Sequence, residues 1–120
     1  MNEIDAETDT LVGEWVALPD VAQRLDIDVG RAKQLIRERK LVGIRRGSGP
    51  VQVPAAFLAA GDVVKGLPGT LTLLADAGYS DVEALRWLFT ADDSLPGTPI
   101  QALVENRGKE VKRRAQALGF

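Results

Sequence analysis

The stretch from Leu18 to Val53, LPDVAQRLDIDVGRAKQLIRERKLVGIRRGSGPVQV, constrains the fold more than any other part of this chain. Its apolar residues Val21, Ala22, Leu25, Ile27, Ala32, Leu35, Ile36 and Leu41 fall at helical or turn positions that can share one small core. The same spacing leaves Arg31, Lys33, Gln34 and Arg37 pointing outward. Asp28 is placed to cap a second helix, its carboxylate accepting from the free amides of the first turn, and that helix is predicted from Val29 to about Arg39. Two short strands follow, Leu41 to Arg46 and Val51 to Val53, joined by the glycine-rich turn Gly47-Ser48-Gly49-Pro50.

A short helix, a tight turn, a second helix and a basic hairpin, in that order, spell a winged helix-turn-helix. Global charge conceals it: 15 basic and 17 acidic residues leave a net of −2. The distribution is what matters. Residues 1 to 28 hold eight acids and one base, residues 29 to 46 seven bases and one acid, and residues 47 to 120 eight acids and seven bases. The middle segment can neutralise several phosphates, and the acidic remainder limits non-specific attachment. The plain alternative is a solvated helix face with ordinary surface charge.

Leu25-Asp26-Ile27-Asp28, Ala32, Leu35-Ile36-Arg37-Glu38, Lys40-Leu41 and the hairpin ending at Val53-Pro54 resemble the excisionase and MerR-type winged helix-turn-helix domain over roughly Val16 to Ala60. The resemblance implies that the second helix enters the major groove of double-stranded DNA and that the wing contacts the backbone. By position it implicates Arg31, Lys33, Gln34, Arg37, Arg45 and Arg46, with Lys40 beside them. The chain departs from that pattern twice: Ala17 or Leu18 stands before Pro19 where a polar cap is usual, and Arg39 replaces the glycine before the Lys-Leu pair.

The rest is predicted to be helical. Pro54 suits a first helical position, and Ala55 to Ala59 are expected to form a helix that closes the winged domain, ended by Gly61. Leu71, Leu73, Leu74 and Ala77 mark a helix stopped by Gly78. Ser80 with Glu83, and Thr98 with Gln101, have capping-box spacing ahead of two more helices. In the first of these Val82, Leu85, Leu88 and Phe89 form the apolar face, with Trp87 expected in the core. A last helix past Gly108 sets Val111, Ala115 and Leu118 against Lys109, Lys112, Arg113 and Arg114. Gly78-Tyr79-Ser80, Ala84 to Phe89, Asp92 to Leu95, Pro99 to Leu103 and Glu110-Val111 resemble the C-terminal domain of Xre/MbcA/ParS-type antitoxins, which implies toxin binding or self-association. End to end, the chain resembles small actinobacterial winged-helix DNA-binding proteins with a helical C-terminal module. The basic last helix is a candidate second DNA contact, against a solvated face as the plain alternative.

The expected organisation is mainly α with a small β-hairpin wing: a flexible acidic tail over 1–12, a winged helix-turn-helix over 13–62 and a helical C-terminal domain over 63–120. Thr8 and Thr10 lie between acids in the tail and are candidate phosphorylation sites for a Ser/Thr kinase. The inventory points away from an enzyme. With no His and no Cys, imidazole relays, thiol nucleophiles and the usual zinc sites are excluded, and no catalytic residue, metal site or cofactor is expected. Asp92-Asp93 reads as a solvated turn, and Gly47 to Pro50 lacks the Lys-Ser/Thr of a phosphate loop. The start carries neither the basic leader nor the apolar run of a signal peptide, so a cytoplasmic, membrane-free protein is expected. The predicted function is that of a sequence-preferring DNA-binding transcriptional regulator, with a homodimer or protein partner through the C-terminal half. The alternative is an antitoxin-like or adaptor protein.

Overall fold

Asp5 starts a helix that the acidic composition of the N-terminus conceals. In the computed structural model, which describes residues 4–119, helix α1 spans Ala6–Val12 and the Asp5 carboxylate accepts from the Thr8 amide at 3.2 Å. Thr8 and Val12, one turn apart, are buried, so the flexible tail expected over 1–12 is corrected for residues 6–12. Two buried residues on one face outweigh the polar remainder. The first three residues of that expected tail lie outside the described ones.

Strand β1, Trp15–Ala17, is also additional to the predicted elements. It is followed by α2, Leu18–Leu25, and α3, Val29–Arg37. The wing strands are β2, Ile44–Arg45, and β3, Val51–Pro54. The sheet runs β1-β3-β2, all antiparallel, with Val16 opposite Val53 and Ile44 opposite Gln52. The wing is therefore a three-stranded sheet anchored by β1. Gly43 allows it to approach α3: a Cβ there would lie 2.7 Å from Ile36 Cδ1 and 2.8 Å from Val51 Cγ1.

The helix expected over Ala55–Ala59 does not form. Ala55–Phe57 makes a single 3-10 turn, after which β4, Leu58–Ala59, pairs with β5, Asp62–Val63. Ala60 and Gly61 both have positive φ, 52° and 79°, as a two-residue type I′ hairpin loop requires. That turn overrides the helix propensity of the alanines.

Four helices follow: α4 Leu67–Asp76, α5 Asp81–Leu88, α6 Pro99–Val104 and α7 Gly108–Ala117. Both capping boxes are formed, Ser80 with Glu83 and Thr98 with Gln101. Helix exits share one device. After α2, α3, α4 and α6 a left-handed residue (Asp26, Arg39, Gly78 and Asn106, respectively) lets the next amide reach back to the carbonyls of Ala22, Leu35, Leu74 and Ala102. Arg39, at φ 58°, thus takes the conformation usually left to glycine and ends α3 two residues before the predicted boundary.

One apolar cluster runs through both halves, from Val12, Val21, Leu35 and Ile44 to Leu67, Leu85, Leu103 and Val111. Phe57 and Phe89 join them, ring centroids 5.9 Å apart. Trp87 is half-buried at the edge of this cluster.

Replacing Gly43 by Ala is expected to lower stability by about 1–3 kcal/mol through overpacking, and adding Ile36→Val should recover part of it in urea or thermal melts. The Glu83 carboxyl is held below its usual 4.5 because the Ser80 backbone and side chain hydrogen-bond with it. Its folded value lies below the unfolded one, so its contribution is present above 4.5 and is lost as pH falls through the depressed value. Glu83→Gln should flatten that acidic limb of a Tm-versus-pH curve.

Candidate nucleic-acid interface

Helix α3 owes its orientation to Ala32 and Leu35, which are buried, and to half-buried Ile36. Asp28 caps it as predicted, accepting from the Arg31 amide at 2.7 Å. Arg31, Lys33, Gln34 and Arg37 are therefore all exposed, with Lys40 just beyond the helix exit. Lys33 and Arg37 have no hydrogen-bond or ion-pair partner among the described residues. Arg31 and Lys40 each place a charged nitrogen 3.6 Å from Glu38 Oε1, and Gln34 Nε2 donates to Glu38 Oε2 at 3.0 Å. Desolvation pushes the Glu38 carboxyl upward, but the Gln34 hydrogen bond and the Lys40 and Arg31 charges outweigh it and hold the group below its usual value.

The two wing arginines take different roles. Arg45 is exposed at the wing and donates to the Gly49 carbonyl at 3.4 Å. Arg46 is turned inward. Its Nε and Nη2 donate to the two oxygens of Asp9 at 3.0 and 2.9 Å, its Nη1 donates to Gln52 at 3.0 Å, and its guanidinium lies 5.0 Å from the Trp15 ring centroid. The Trp15 indole donates to the same Asp9 carboxylate at 3.2 Å. Arg46, predicted among the phosphate-facing residues, thus engages three of its five N–H donors with α1 and β3 and keeps its side chain 34% exposed. Asp9, Trp15 and Glu38 are the residues that sequence reasoning missed; the Asp5 cap spacing and the Thr8–Val12 pair were the signals for α1.

Two further arginines have acidic partners. Arg39 pairs with Asp81 at 3.6 Å across the junction with α5, and Arg86 of α5 pairs with Asp5 and Glu7 at 3.3 and 3.1 Å. The two candidate phosphorylation sites separate as well. Thr8 is fully buried, contrary to the accessible tail expected, while Thr10 is exposed and its hydroxyl donates to the Ala6 carbonyl at 2.9 Å. Among the described residues, no group of three or more Asp or Glu side chains gathers as a metal site would. No described helix is long and apolar enough to cross a membrane.

Comparison with known proteins covers both halves. The family model described as the wHTH domain of the DNA-binding protein Rv2175c matches residues 3–58, and that described as the Rv2175c C-terminal domain of unknown function matches residues 64–119. The chain is similar to the DNA-binding protein Rv2175c of Mycobacterium tuberculosis, 44% identical over 115 residues, which cover 86% of this chain and 79% of that protein. The NMR structure of Rv2175c is similar at a TM-score of 0.79 and 41% identity, over 89% of this chain and 82% of the other.

Arg46→Ala is expected to lower stability by about 1–2 kcal/mol, since it removes charge-assisted hydrogen bonds from a partly buried site. Arg45→Ala should leave the thermal midpoint unchanged. Equal midpoints for the two variants would contradict the structural role of Arg46.

Proposed function

The chain belongs to the family of the DNA-binding protein Rv2175c and carries its winged helix-turn-helix DNA-binding domain, and on that premise we propose that it is a sequence-preferring regulator of transcription. In this reading α3 enters the major groove, Arg31, Gln34 and Arg37 reach base edges, and Lys33, Lys40 and Arg45 hold the flanking phosphates. The observation that carries it is the pair Lys33 and Arg37, exposed on the outer face of α3 and bound to nothing else among the described residues. A basic side chain with an intramolecular partner exchanges one counter-charge for another on binding, whereas a free one gains the phosphate outright.

One such module covers a short site. A second copy, brought in through the C-terminal helices, is the proposed source of further specificity. The exposed bases Lys109, Lys112 and Arg113 of α7 are the proposed additional backbone contact.

Anisotropy of a labelled random-sequence duplex, titrated at low and moderate salt, tests the reading. The native chain is expected to bind in a salt-dependent manner, and a variant carrying Arg31→Glu, Lys33→Glu and Arg37→Glu to lose that binding. On a selected site, Arg37→Ala is expected to cost about 1–3 kcal/mol and relax base preference. Lys33→Ala should weaken all sequences alike and reduce the salt slope by about 1. No binding by the native chain at either salt would overturn the reading in favour of a protein-partner role.

A further inference from the structure

Glu38 is the one acid between residues 29 and 46, and it stands at the centre of the basic face. Three donors converge on its carboxylate: Gln34 Nε2 at 3.0 Å, Arg31 Nη1 at 3.6 Å and Lys40 Nζ at 3.6 Å. Surface repulsion among the bases explains an acid somewhere on this face. It does not explain why the shortest contact is to the only neutral amide in the set.

That contact has a chemical consequence. A carboxylate can only accept, so the end of Gln34 that meets Glu38 is the amide nitrogen, and the orientation of the Gln34 amide is fixed. Gln34 and Glu38 are four residues apart, one helical turn, so the contact holds without rearrangement of the backbone. With one N–H given to Glu38, Gln34 retains a second N–H and its Oε1. One donor beside one acceptor matches N7 and the N6 amino group of adenine in the major groove.

We propose that Glu38 is a positioning residue that sets Gln34 to read an adenine, and that its charge also lowers the affinity of the whole face for phosphate. The inference rests on the DNA-binding reading of α3. The two effects have opposite signs and different sequence dependence. Charge on Glu38 weakens binding to every duplex equally, while orientation of Gln34 acts at a single base pair.

The test uses the full chain as wild type, Glu38→Gln, Gln34→Ala and the double variant, with melting curves to verify folding. A glutamine at 38 removes the charge and can donate as well as accept, so it no longer dictates the Gln34 orientation. Glu38→Gln is expected to tighten binding to a random duplex about threefold, the factor that one unit charge roughly 7 Å from a phosphate carries in water. Selection of bound sites from a random library should show the adenine preference at one position reduced about tenfold. In the Gln34→Ala background the same change should keep the gain on random DNA and alter no base preference. An unchanged preference in Glu38→Gln, or unchanged or weaker random binding, would overturn the inference while leaving the DNA reading intact. A wild-type chain that binds no duplex overturns both.

Discussion

The guanidinium of Arg46 is held by three partners, and through them it ties α1, β1 and β3 together. Two hydrogen bonds go to Asp9 on α1, one goes to Gln52 on β3, and Trp15 of β1 lies against its face. The planar fork of an arginine suits this task where a lysine would not, because it donates in two directions at once and stacks. Helix α1 is thereby joined to the sheet. Its other side meets α5, where Asp5 and Glu7 pair with Arg86. The N-terminal helix is thus a brace between the wing and the C-terminal half, and the apolar cluster beneath it is continuous.

That brace divides the basic segment into two electrostatic populations. Arg46 is committed to Asp9 of α1 through two charge-assisted hydrogen bonds and belongs to the architecture. Arg31 and Lys40 are held loosely at 3.6 Å by Glu38, and Arg39 at the same distance by Asp81, while Lys33, Arg37 and Arg45 face solvent without an acidic partner among the described residues. Net charge over residues 29 to 46 therefore overstates the charge available to a polyanion, and the exposed ion pairs on α3 are of the weak, salt-screened kind.

Much of this was legible in the chain itself. Asp28, Ser80 with Glu83, and Thr98 with Gln101 announce helix starts by local hydrogen bonding, which needs no tertiary context, and all three form. The helix-turn-helix and its wing follow from periodicity and from a glycine-rich turn. What escaped has a common cause. Helix α1 is visible only through two buried side chains, β1 only through its pairing with β3, and the hairpin at Ala60-Gly61 only through a left-handed pair of residues that alanine rarely supplies. The site shows the same limit: exposure of Arg31, Lys33, Gln34 and Arg37 followed from helical spacing, whereas the inward turn of Arg46 depends on an aspartate 37 residues away.

Gly43 has a consequence for how a ligand would be met. Because no side chain separates Ile36 of α3 from Val51 of the wing, the two surfaces pack as one body. A helix and wing that already share a fixed angle have little conformational freedom to surrender on association. In the proposed binding mode such a body would meet a groove as a rigid object, and the entropy lost would be mainly translational and rotational, with the heat-capacity change following the surface covered and not the ordering of a loop.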